Sequence, residues 1–171
     1  MKIRSIILCF LISSVFVLAR GQDYSYLANI PLEDKEDYTK NEKLIVECSD
    51  YILNSPVNVI MNDLNHLNAM QFIMRWMEGT PDYMFSIDEK ITRSTKSETA
   101  LLSVYLAAMC KFSLENKAKS EDEDEVRYNS FLIFIKYCED PAREVKQNKA
   151  IKELIKTKNE GTLKEYLGIS E

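Results

Sequence analysis

The sequence predicts an all-α fold, a single domain of about five to seven antiparallel-packed helices behind a cleaved signal peptide. Three observations predict it. Apolar residues recur at three- and four-residue steps along most of the chain. The segments so marked are short, and Ser, Thr, Asp or Asn opens them while Gly or Pro closes them. The first 21 residues follow a different grammar, that of export.

Lys2 and Arg4 form a positive start, and Ile6 to Ala19 is an apolar run broken only by Cys9, Ser13 and Ser14. Ala19 and Gly21 supply small residues at −3 and −1 of a cleavage site, which makes Gln22 the new N-terminus. The run is shorter than the ~20 apolar residues that a membrane span needs. Leu8 before Cys9 does not suit a lipoprotein cysteine. The mature chain, residues 22–171, suits one domain. Cleavage lowers Lys+Arg from 22 to 19 against 27 acids, a net charge of −8. Such a balance speaks against nonspecific nucleic-acid binding. The expected location is the periplasm or the extracellular space.

Residues 22–38 are polar around Pro31 and read as an N-terminal arm, with Tyr26 and Leu27 packing on the body. Residues 39–171 form the helical domain. Thr39 and Glu42 fit a capping box, so a helix runs to about Asn54, with Leu44, Ile45, Cys48, Tyr51 and Ile52 inward. Val57 to Met61 is β-branched but has no strand to pair with, and reads as a loop. The central helix follows, Asp63 to Glu78, capped by Asn62 or Asp63. Its stripe is Leu64, Leu67, Met70, Met74 and Met77, widened by Ala69, Ile73 and Trp76. Gly79 suits a left-handed residue after the last turn, and Pro81 stops the helix. Tyr83 and Phe85 then fold back onto the core.

Ser86 and Glu89 open a short helix to about Arg93. Thr95 or Ser97 caps a long one to about Lys117, with Leu101, Leu102, Tyr105, Ala108, Met109 and Phe112 buried. Ser120 with Glu123 caps the next. The acids 121–125 match the positive end of its dipole better than a calcium loop, since no Gly turns the chain there. Phe131 to Ile135 is apolar all round, as in an enclosed helix ending before Pro141. Lys149 to Lys158 is amphipathic and ends at Gly161, and Thr162 opens a last turn with Tyr166 and Leu167. Cys48, Cys110 and Cys138 lie in apolar helical patterns, which favours buried thiols over a bridge.

Two runs, QFIMRWMEGTPDYMFSID (Gln71–Asp88) and LAAMCKFSLENK (Leu106–Lys117), resemble an uncharacterised family of small exported proteins from Bacteroidetes-type bacteria. The resemblance implies export and a helical fold, and brings no activity or site residues with it.

Chemistry-bearing residues are few. His66, the single histidine, falls off the main stripe toward Asn62 and Asn65 and reads as a surface or helix-start residue, with none of the partners that catalysis needs evident nearby. One histidine cannot make a His-rich metal site. Met70, Met74 and Met77 read as core packing rather than a copper or haem site. Lys146, Lys149, Lys152 and Lys156 form a basic edge diluted by Glu144, Glu153 and Glu160. No Gly-rich phosphate loop, GxSxG or HExxH is present. The candidate binding cluster is Arg75, Trp76, Glu78, Asp82 and Tyr83 around the Gly79–Pro81 turn. Arg75 and Glu78 also suit a plain i,i+3 pair. The expected function is a non-enzymatic module without cofactor that binds another envelope or extracellular protein. The alternatives are a small-ligand carrier lined by Met70, Met74, Trp76 and Phe85, or a hydrolytic or transfer enzyme with its site near that turn.

Overall fold

The computed structural model describes residues 23–169, and the expected signal segment 1–21 lies outside them. The described chain is helical, with no strand among the described residues. Its α-helices are α1 (Lys35–Leu53), α2 (Val57–Ile60), α3 (Leu64–Gly79), α4 (Glu89–Thr95), α5 (Ala100–Glu115), α6 (Glu123–Glu139), α7 (Lys149–Glu160) and α8 (Leu163–Leu167). A 3-10 turn, Ser25–Asn29, precedes α1. Two shorter ones follow α5 and α6.

α5 is the axis. Leu101, Val104, Tyr105, Ala108 and Cys110 are closed to solvent on every side of it. Its apolar residues leave no polar face, so only a position between neighbours satisfies it. α1, α3 and α6 surround it. Lys111 of α5 bonds Asp50 and Lys117 bonds Glu42, so the start of α1 lies at the end of α5 and the pair is antiparallel. α1 and α3 are antiparallel too, because Trp76 meets Tyr38 and His66 meets Tyr51. Tyr105 sets its ring against Phe131 and Phe134 of α6, at 5.1 and 6.1 Å between centroids. α4, α7 and α8 close a flank, where Asn148 donates to the Ser94 carbonyl at 2.7 Å.

Several boundaries differ from expectation. α1 begins at Lys35 because the Asp34 carboxylate accepts the Asp37 N–H at 3.0 Å and caps the helix before Thr39 is reached. Val57–Ile60 is one helical turn rather than a loop, since Pro56 presets its start and Val57 and Ile60 both bury. Asp88, not Ser86, caps α4, and Asp122, not Ser120, caps α6. α5 starts at Ala100 after Thr99, because Thr95 still belongs to α4. The N-terminal segment is firmly held: Tyr24 and Leu27 are buried, while Tyr26 is half exposed.

The face of α3 is also rotated. His66, Ala69, Met70, Phe72, Ile73 and Trp76 are buried, whereas Leu64 is 75% exposed and Met74 43%. The bulk of Phe72, Ile73 and Trp76 sets the packed face, and the flexible methionines accept its edge. Gly79 is the last residue of α3 and not a left-handed one; among the described residues the positive-φ ones are Glu144, Gly161 and Gly168. What requires glycine is Tyr38, whose Oη would lie 1.9 Å from a Cβ at position 79.

Candidate functional site

Of the five residues expected to form a binding cluster, Trp76 and Tyr83 pack on each other, and Arg75 and Glu78 lie apart from them. Trp76 is closed to solvent, and its indole N–H donates to the Tyr38 carbonyl at 3.0 Å. Tyr83 and Phe85 return over it, with ring centroids at 5.4 and 6.0 Å. Arg75 turns the other way and donates to the carbonyls of Leu27 at 3.3 Å and Ile30 at 2.9 Å, strapping the N-terminal segment to α3. It forms no ion pair with Glu78. Asp82 accepts from Lys35 at 2.5 Å and Tyr83 donates to Glu42 at 3.1 Å, so the turn is tied to α1. Glu78 stands exposed. Burial and the neighbouring Glu42 push the Tyr83 phenol upward. Trp76, Asp82 and Tyr83 are thus brought together against α1, while Arg75 points elsewhere.

The constellation that sequence reasoning missed surrounds His66, which is 4% exposed instead of lying on the surface. Its Nδ1 lies 2.8 Å from Asp63 Oδ1, and its Nε2 lies 2.6 Å from Ser55 Oγ. Tyr51 stacks on the ring at 4.2 Å. Each part has a local origin. Asp63 caps α3, so its Oδ1 already accepts the N–H groups of Asn65 and His66. The third residue of the helix then brings its imidazole back to the cap. Ser55 sits just past α1, where Tyr137 of α6 donates to its carbonyl at 2.7 Å. The histidine bond and the N-cap bonds hold the Asp63 carboxyl below the usual carboxylate range. An ionised Asp63 only accepts, so Nδ1 carries a proton and Nε2 faces the serine hydroxyl.

That order of groups is the one used by a nucleophilic serine with its base and orienting acid. Two features oppose such a use. Ser55 Oγ also lies 2.8 Å from the Tyr51 carbonyl, a competing acceptor for its single proton. Neither Ser55 nor His66 lines the clefts beside Lys111, Tyr166, Arg75, Met84 or Leu102. The bonds therefore join the end of α1 to the start of α3. Asp63 three residues before His66 was a readable signal, but nothing in the spacing marks Ser55 as its other partner.

The open feature on this side of the molecule is a groove of about 520 Å³ between α1, α5 and α6. Leu53, Ile133 and the Tyr137 ring line its apolar part. Its charged rim is mostly neutralised internally. Lys111 holds Asp50 at 2.7 Å and Glu115 at 2.6 Å, Arg143 holds Asp140 at 3.1 Å, and Lys158 holds Glu139 at 2.7 Å. Burial pushes Lys111 down, but its two carboxylates prevail and keep the ammonium above its usual range. Lys136 is exposed on the rim with no ion pair among the described residues.

The other candidate groups are structural. Cys48, Cys110 and Cys138 are free, and burial pushes their thiols up, to about 12 for Cys48 and Cys138. Asp124 and Glu125 of the acidic run pair with Arg127 and Lys119. Among the described residues no three His, Cys, Asp or Glu side chains converge as a metal site, and no helix is long and apolar enough to cross a membrane. No family model, curated protein or solved structure matches the chain.

Proposed function

We propose that this is an exported, non-enzymatic interaction module that takes a short amphipathic segment of another envelope or extracellular protein in the groove between α1, α5 and α6. The signal-like start and the resemblance to a family of small exported proteins support export. The observation that carries the binding reading is the groove itself, whose volume lies in the range of natural ligand sites. Its paired rim charges ask for no counter-ion, which leaves apolar area around Ile133 and the unpaired cation Lys136. The matching segment presents one or two apolar side chains with a carboxylate beside them. The test is co-purification of the tagged mature protein from its native host, compared with Ile133→Glu and Lys136→Glu. Loss of the same partner from both variants, at unchanged folding, supports the reading, and equal recovery rejects it.

The bonds of 2.6 and 2.8 Å around His66 favour a second reading, hydrolysis at Ser55. A small fluorophosphonate tests it. Covalent labelling of Ser55 that disappears in His66→Gln would establish that reading, and an unlabelled Ser55 removes it.

A further inference from the structure

A second cleft, of about 890 Å³, lies between α4, α7 and α8. Its side chains are mostly donors. Arg93, Lys96 and Lys149 line it with Ser97, against Glu153 as the one carboxylate and Tyr166 as the aromatic wall. Asn148 ties the start of α7 to the end of α4. That side chain accepts the Ile151 N–H at 3.0 Å and donates to the Ser94 carbonyl at 2.7 Å and to Ser97 Oγ at 3.1 Å. Because Ser97 Oγ already accepts from Asn148, its own proton is free to be donated into the cleft.

Lys96 and Lys149 are exposed and have no ion pair among the described residues, a state they share with Lys136 and Lys152. Arg93 spends one nitrogen on Glu89, at 2.5 Å, and keeps its remaining donors. Two unpaired ammonium groups, those remaining donors and a hydroxyl therefore face Glu153, the one carboxylate of the lining. Tyr166 is half-buried, with Lys90 lying 5.3 Å from its ring centroid. Burial is the main influence raising its phenol.

We propose that this cleft binds a ring-bearing organic anion, whose carboxylate or phosphate lies between Lys96, Lys149 and Ser97 and whose ring packs on Tyr166. The oxyanion could belong to a free metabolite or to an anionic sugar unit, and two probes separate the contributions. Inorganic phosphate offers charge alone, and glucuronate offers charge on a ring. Each is titrated into the mature protein at constant ionic strength and followed by amide and aromatic NMR signals.

The expected result is a saturable shift at Lys96, Ser97 and Lys149 with both probes. Glucuronate also moves Tyr166 and binds more tightly than phosphate. The Lys96→Gln/Lys149→Gln variant, both positions being exposed, keeps its thermal midpoint and loses about ten-fold in affinity. Ser97→Ala weakens binding without that change of charge. Shifts that do not saturate, or that persist undiminished in the double variant, overturn the proposal. Phosphate binding as tightly as glucuronate, with Tyr166 unmoved, overturns its ring-bearing part.

Discussion

Trp76 is held from several sides at once, by the Tyr38 carbonyl on its N–H and by Tyr83 and Phe85 on its ring. Truncating a buried aromatic costs ~3–5 kcal/mol, a large part of the ~5–15 kcal/mol available to a domain. Trp76→Ala is therefore expected to lower the denaturant midpoint strongly, and Trp76→Phe less. Gly79 gives a sharper test. Gly79→Ala places a methyl 1.9 Å from Tyr38 Oη, and overpacking of this kind costs ~1–3 kcal/mol. Tyr38→Phe removes the nearest atom but leaves Cζ at 2.6 Å, so the double variant should recover part of the loss. Strict additivity in denaturant unfolding would contradict that contact. His66→Ala should itself destabilise by ~1–3 kcal/mol, because a buried ring is lost and the Ser55 hydroxyl loses a partner in a buried place, while Asp63, 42% exposed, can turn to water. Trp76 was legible as a core residue from its place on an apolar arc. His66 was not, because its burial depends on a serine from another helix end.

At the scale of helices, the joint between α1 and α3 has a pH dependence with a definite sign. Asp63 titrates below its ordinary value of 3.8 because of its bonds to His66 and to backbone N–H groups. A depressed carboxylate contributes stability that is present above the unfolded value and is lost as pH falls through the folded one. Asp63→Asn should thus flatten the acid limb of stability below about pH 4 and change it little in slope above, as read by thermal melts across pH. The longer helices were readable from three- and four-step periodicity and turn residues, while the single turn α2 was not, being too short to show a period. The other errors concern which nearby acid caps a helix and which face packs. Asp34, Asp88 and Asp122 each outcompete the expected hydroxyl, since a carboxylate at an N-terminus gains both the hydrogen bond and the dipole. In α3 the methionine repeat gave the wrong stripe, because shape and branching, not hydrophobicity alone, choose the buried face.

For the whole molecule, the packing of helices around α5 leaves a groove with an apolar floor between α1, α5 and α6 and a cleft rich in donors between α4, α7 and α8. Both combine residues from three helices, so neither can be read from local spacing. The basic edge on α7 was visible in the sequence, but its junction with Arg93 and Lys96 is tertiary. We propose that function resides in a surface groove and not in the closed Ser55–His66–Asp63 joint. One co-purification from the native host decides it, with the mature protein, Ile133→Glu and Ser55→Ala compared at equal yield of folded protein. The account predicts that Ser55→Ala retains the partner and Ile133→Glu loses it. Retention by Ile133→Glu together with loss by Ser55→Ala would contradict it.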